Sequence, residues 1–119
     1  MKSLLITLAI ITLLSTACKV TGTMAAIQPK AATINLPATG TLRLWNGITH
    51  PSFTVTLTNP NATQSCEVYK VKDNGTERWI SPSLQAGKSL TITVPANGHL
   101  YFKNFNNNVL NIEYKVADQ

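Results

Sequence analysis

The hydrophobic rhythm of the chain changes along its length, and the change divides it. Residues 4–14, LLITLAIITLL, are apolar without a break and carry no charge. Residues 19–31, KVTGTMAAIQPKA, follow no strict period. From residue 33 onward the period is two. Phe53, Val55 and Leu57 alternate with Thr54, Thr56 and Thr58, and Leu90, Ile92 and Val94 alternate with Thr91 and Thr93. Leu110, Ile112, Tyr114 and Val116 repeat the pattern near the end. Alternation of this kind sends successive side chains to opposite faces and marks a strand buried on one side.

The same reading predicts further strands at 33–36, 41–45, 65–72, 77–80 and 100–103. In the second of these, Leu42 and Leu44 share one face while Arg43 and Trp45 share the other. Asn59-Pro60-Asn61-Ala62, Asp73-Asn74-Gly75, Ala86-Gly87-Lys88 and Pro95-Ala96-Asn97-Gly98 supply the turns. Proline fixes φ there, glycine accepts positive φ, and asparagine bonds its own backbone. Seven to eight short strands at intervals of roughly 8–12 residues, with no amphipathic helix, predict an all-β fold. Two stacked antiparallel sheets bury such strands best, so the expectation is a small β-sandwich, immunoglobulin-like or jelly-roll; a small closed barrel is the alternative.

The apolar run at 4–14 is too short for a permanent membrane span but has the length of a signal-peptide core. Lys2 precedes it, and Ser15 and Ala17 stand at the small-residue positions a signal peptidase reads. The chain therefore divides into a cleaved signal peptide (1–17), a flexible tether (18–31) and a β-sandwich domain (32–119), and export is expected.

Leu14-Ser15-Thr16-Ala17-Cys18 resembles the lipobox of bacterial lipoproteins. That pattern places an aliphatic residue three positions before the cysteine; here Ser15 holds the position and Leu14 stands one step earlier. The resemblance implies that Cys18 becomes the first mature residue and carries lipid on its sulfur and amino group, anchoring the chain to an envelope membrane. Ordinary cleavage after Ala17, or after Ala25, is the competing reading. Either gives a soluble periplasmic or extracellular protein, and cleavage after Ala17 keeps Cys18, which is then free to pair with Cys66, the other cysteine.

Charge and residue supply narrow the function classes. The formal charge is +5, and the basic residues are scattered among Glu67, Asp73, Glu77 and Glu113 rather than gathered into a stripe. Nucleic acid is therefore not an expected partner. No two carboxylates are placed at one site by sequence, so general acid and base have no owners. His50 and His99 adjoin turns without a third donor at ligand spacing and read as exposed loop histidines, with no metal and no cofactor expected. Ala86-Gly87-Lys88-Ser89 has Pro82 where a phosphate loop needs its first glycine and no helix pattern behind it. Cys66 reads as an inert core thiol rather than a nucleophile. Asn61-Ala62-Thr63 and Asn74-Gly75-Thr76 fit the glycosylation pattern, which matters only in a eukaryotic source.

What remains is a surface. Trp45, Tyr69, Trp79 and Tyr101 fall opposite clear core residues and are candidate contacts for a carbohydrate or protein ligand, the plainer reading of each being that it closes the edge of the core. Loops 46–50 and 104–108 offer amide and imidazole groups beside them. The expected function is a non-enzymatic, exported and lipid-anchored binding or adhesion module of the cell envelope. A self-assembling surface or filament subunit, and a secreted effector or small hydrolase with a hidden site, are the alternatives.

Overall fold

The computed structural model describes residues 23–117. Eight strands are formed: β1 (Ala31–Leu36), β2 (Thr41–Leu44), β3 (Phe53–Thr58), β4 (Glu67–Val71), β5 (Glu77–Trp79), β6 (Ser89–Val94), β7 (His99–Lys103) and β8 (Leu110–Val116). They build two four-stranded sheets with the orders β1-β8-β3-β6 and β2-β7-β4-β5, every pairing antiparallel. Only β4 and β5 are neighbours both in sequence and in a sheet; every other connection crosses between the sheets. This is the jelly-roll arrangement, and it decides against both the immunoglobulin order and the closed barrel.

The alternation works as the pattern requires. Phe53, Val55 and Leu57 of β3 and Leu110, Ile112, Tyr114 and Val116 of β8 are buried, and they meet Val68, Leu100 and Phe102 of the other sheet. Each fully buried aliphatic or aromatic side chain contributes about 1.5–3 kcal/mol relative to exposure. The threonines between them line the opposite side of the first sheet, where Thr54–Thr93, Thr56–Thr91 and Thr58–Ser89 hydroxyls approach to 3.5, 3.2 and 2.9 Å.

Four expectations are corrected. Trp45 is not on the outer face with Arg43. It follows the last residue of β2 with φ at +71°, and this left-handed turn breaks the alternation and swings the indole inward. The indole is 6% exposed and packs edge-on against Phe53 and Tyr114, at 5.0 and 5.1 Å between ring centroids. The left-handed backbone costs roughly 1–2 kcal/mol, which is less than the roughly 3–5 kcal/mol lost when a buried aromatic is truncated. Burial therefore decides the conformation.

The tether, too, is shorter than expected. Ile27 is fully buried, the Tyr114 hydroxyl donates to the Pro29 carbonyl at 2.7 Å, and the Val116 amide donates to the Lys30 carbonyl at 2.7 Å. Residues 27–31 thus belong to the domain, because Ile27 fills a place in the core. The signal peptide 1–17 and Cys18 lie outside the described residues.

His50 and His99 are buried rather than exposed. The His50 ring lies between the carbonyl oxygens of Pro51, 2.7 Å from Nδ1, and Gly98, 2.8 Å from Nε2, while its amide donates to Asn97 Oδ1 at 2.9 Å. It clips two loops together. Asn104, in the loop 104–108, is likewise committed to the fold: its Nδ2 donates to the carbonyls of Pro37 and Asn108 at 3.0 Å each, and its Oδ1 accepts from the Asn106 amide at 2.9 Å. Buried asparagine amides must find such partners, so this side chain has nothing left for a ligand.

Candidate binding face

The outer face of the sheet β2-β7-β4-β5 collects the remaining candidates. Its register sets Arg43 opposite Tyr101, Tyr101 opposite Tyr69, and Tyr69 opposite Trp79. Adjacent strands lie about 4.8 Å apart, so these four side chains form one continuous row across the whole sheet. Lys103 and Glu67 flank the row on one side; His99, Val71 and Glu77 flank it on the other.

The row is internally bonded. The Arg43 guanidinium stacks 3.9 Å above the centre of the Tyr101 ring, Nη1 donates to His99 Nε2 at 2.8 Å, and Nη2 pairs with Glu77 Oε2 at 3.2 Å. The Tyr69 and Tyr101 rings are 5.9 Å apart, and the Lys103 ammonium sits 4.7 Å from the first and 5.5 Å from the second. The Tyr69 hydroxyl donates to Glu67 Oε1 at 2.8 Å. Cation–π pairs at such exposed positions contribute about 0.5–1 kcal/mol each, and the exposed Arg43–Glu77 pair about 0–1 kcal/mol. Their effect is to hold long side chains still rather than to stabilise the fold.

Two groups titrate abnormally there. Burial first, and the Arg43 charge second, push the His99 imidazole below its ordinary range, with Glu77 acting in the opposite sense. The Tyr69 phenol is pushed up, chiefly because its proton is bonded to the Glu67 carboxylate. Since Arg43 carries only donors, His99 Nε2 must accept, which fixes the neutral ring with its proton on Nδ1.

Of the sequence-predicted contacts, the structure brings Tyr69, Trp79 and Tyr101 together and withdraws Trp45 into the core. Trp79 is 47% exposed, on the short edge strand. Arg43, His99, Glu77 and Lys103 were not among the contacts expected from the sequence. Their outward parity within each strand was legible, but which strands would be neighbours was not. Among the described residues no three His, Cys, Asp or Glu side chains gather as metal ligands. Cys66 is buried in the core, and burial pushes its thiol up to about 12. A nucleophilic cysteine needs the opposite shift.

No protein family matches the chain, and no curated protein does. Among solved structures it is similar to the crystal structure of Drosophila melanogaster CENP-C bound to CAL1, with a TM-score of 0.49 and 11% identity over 76% of this chain and 66% of that one. It is also similar to the Drosophila melanogaster CENP-C cupin domain, with a TM-score of 0.47 and 11% identity over 76% of this chain and 62% of that one. This chain spans less than two thirds of the length of either.

Proposed function

We propose that the chain is a non-enzymatic binding module, exported and held at an envelope membrane by lipid on Cys18, which grips a protein partner through the outer face of β2-β7-β4-β5. The observation that carries this reading is the Arg43–Tyr101–Tyr69–Trp79 row. Tyrosine, tryptophan and arginine are the residues in which interface energy concentrates. Side chains already held in place lose little entropy on binding, which leaves more of the contact energy as affinity.

A protein fits the face better than a sugar does. Stacking on a pyranose ring needs an open aromatic face, and the Tyr101 face is taken by Arg43 at 3.9 Å, with Lys103 over Tyr69. Trp79 alone is left broadly open. A protein surface can instead use the exposed edges of the rings together with the donors and carboxylates around them.

Native size separation of the gently solubilised envelope tests the reading. The wild-type chain should migrate in a complex larger than itself, and Tyr101→Ala should release it as the free chain. A wild-type chain that runs free, or a Tyr101→Ala chain that stays in the complex, contradicts it. For the anchor, the intact mass of the native mature protein should correspond to a chain beginning at Cys18 with two or three acyl groups; an unmodified mass refutes the lipid.

A further inference from the structure

A second surface lies on the opposite side of the β4–β5 hairpin and is independent of the row just described. Tyr69 and Trp79 point outward, so their neighbours Lys70 and Arg78 point the other way, toward the open edge of the sandwich. The register sets Lys70 directly opposite Arg78. Lys72, two residues beyond Lys70, shares that face, and its amide donates to the Thr76 carbonyl at 2.9 Å to close the hairpin.

These side chains line a hollow of ≈ 340 Å³ bounded by Lys70, Lys72, Thr76, Arg78, Thr93 and Pro95. An adjoining hollow of ≈ 320 Å³ shares Lys70 and Arg78 and continues past Trp79, Ile80 and Ser81. No carboxylate lines either one. Among the described residues the ion pair formed is Arg43–Glu77, on the other face. Asp73 borders a neighbouring depression with Lys72 and makes no ion pair there.

Like charges directly opposite on paired strands oppose each other and weaken the pairing. A fold that places Lys70 against Arg78, with Lys72 beside them and no acid to balance them, carries an unanswered positive field in a partly enclosed space. Enclosure between low-dielectric walls concentrates that field and draws in counter-ions. From this we infer that the hollow is a binding site for a tetrahedral oxyanion, a phosphate or sulfate group. A single carboxylate would answer one charge of the three. A phosphate or sulfate group presents several oxygens at once, two for the planar fork of Arg78 and others for the lysine ammoniums. Thr76, in the same lining, carries a hydroxyl that is a further donor of the right kind.

The group can reach the site as free anion or on a lipid headgroup, and both arms are tested with the full chain. In the first, amide chemical shifts are followed as inorganic phosphate replaces chloride at constant ionic strength. Shifts should saturate and centre on Lys70, Lys72, Thr76 and Arg78. In the second, sedimentation with phosphatidylcholine vesicles is compared with and without phosphatidylglycerol. Saturable shifts with equal binding to the two kinds of vesicle assign a soluble anion, since lipid on Cys18 serves both alike; stronger binding to the anionic vesicles assigns a headgroup. In either case Arg78→Gln should remove the effect and Lys88→Gln should leave it.

Because Arg78→Gln also relieves the repulsion with Lys70, it should fold at least as stably as the wild type when no anion is present. Lys70→Gln is the parallel variant should one of them misfold. The inference is overturned if neither probe binds in a manner that depends on Arg78 or Lys70, or if the shifts are linear and identical in chloride. It does not depend on the proposed protein partner: loss of the phosphate effect leaves the Tyr101→Ala result untouched, and the reverse holds as well.

Discussion

Arg43 is the busiest side chain of the candidate face, touching Tyr101, His99 and Glu77 at once, and its bond to His99 makes the face sensitive to acid. Protonation of His99 removes the acceptor that Arg43 uses and sets two cations side by side. Because the folded protein holds the imidazole below its ordinary value, with burial the main cause, the unfolded chain binds the proton more readily. Stability is therefore complete above the unfolded value of about 6.5 and falls as the pH drops from there toward the folded value. Denaturant melts across this range should show an acid loss in the wild type that His99→Gln, which keeps an acceptor but cannot titrate there, largely abolishes. An equal loss in both proteins would place the titration elsewhere. The sequence showed His99 beside a turn and suggested an exposed ring. It could not show that Arg43, 56 positions away in the chain, would cover it.

At the scale of elements, the end of β2 shows where alternation stops being a guide. Leu42, Arg43 and Leu44 obey it, and Trp45 leaves it through one residue with φ at +71°. Nothing in a period of two marks that residue; what selects it is the space between Phe53 and Tyr114, which come from other strands. The two tryptophans accordingly have opposite roles. Trp45→Ala should lower stability by about 3–5 kcal/mol, in line with other buried aromatics. Trp79→Ala, on the exposed edge strand, should stay within about 0.5 kcal/mol of wild type. Chemical denaturation followed by circular dichroism measures both, and comparable losses would contradict the assignment of one to the core and the other to the surface. The hairpin β4–β5 shows what was legible: Asp73-Asn74-Gly75 predicted the turn, Gly75 has φ at +89°, and Asn74 Oδ1 accepts from the Thr76 amide at 3.0 Å. The pairing of Lys70 with Arg78 follows from that turn, although its significance required the lining of the hollow, which holds no carboxylate, to be seen in three dimensions.

For the whole molecule, the alternating pattern and spaced turns were enough to indicate two stacked antiparallel sheets. They could not select the jelly roll, because that choice lies in long-range partners such as Ala31 with Lys115 and Thr41 with Lys103. The same partners create the Arg43–Tyr101–Tyr69–Trp79 row from residues of four different strands. The architecture thus presents two unlike outer faces, one of paired threonine hydroxyls and one of aromatic and cationic side chains, and the proposed partner belongs on the second. Photo-crosslinking in the native host compares them directly, with a benzoyl-phenylalanine placed at Trp79 on one face and at Thr91 on the other. A discrete protein adduct is expected from position 79, diminished by Arg43→Ala, and none from position 91. Adducts from both positions alike, or from position 91 only, would contradict it.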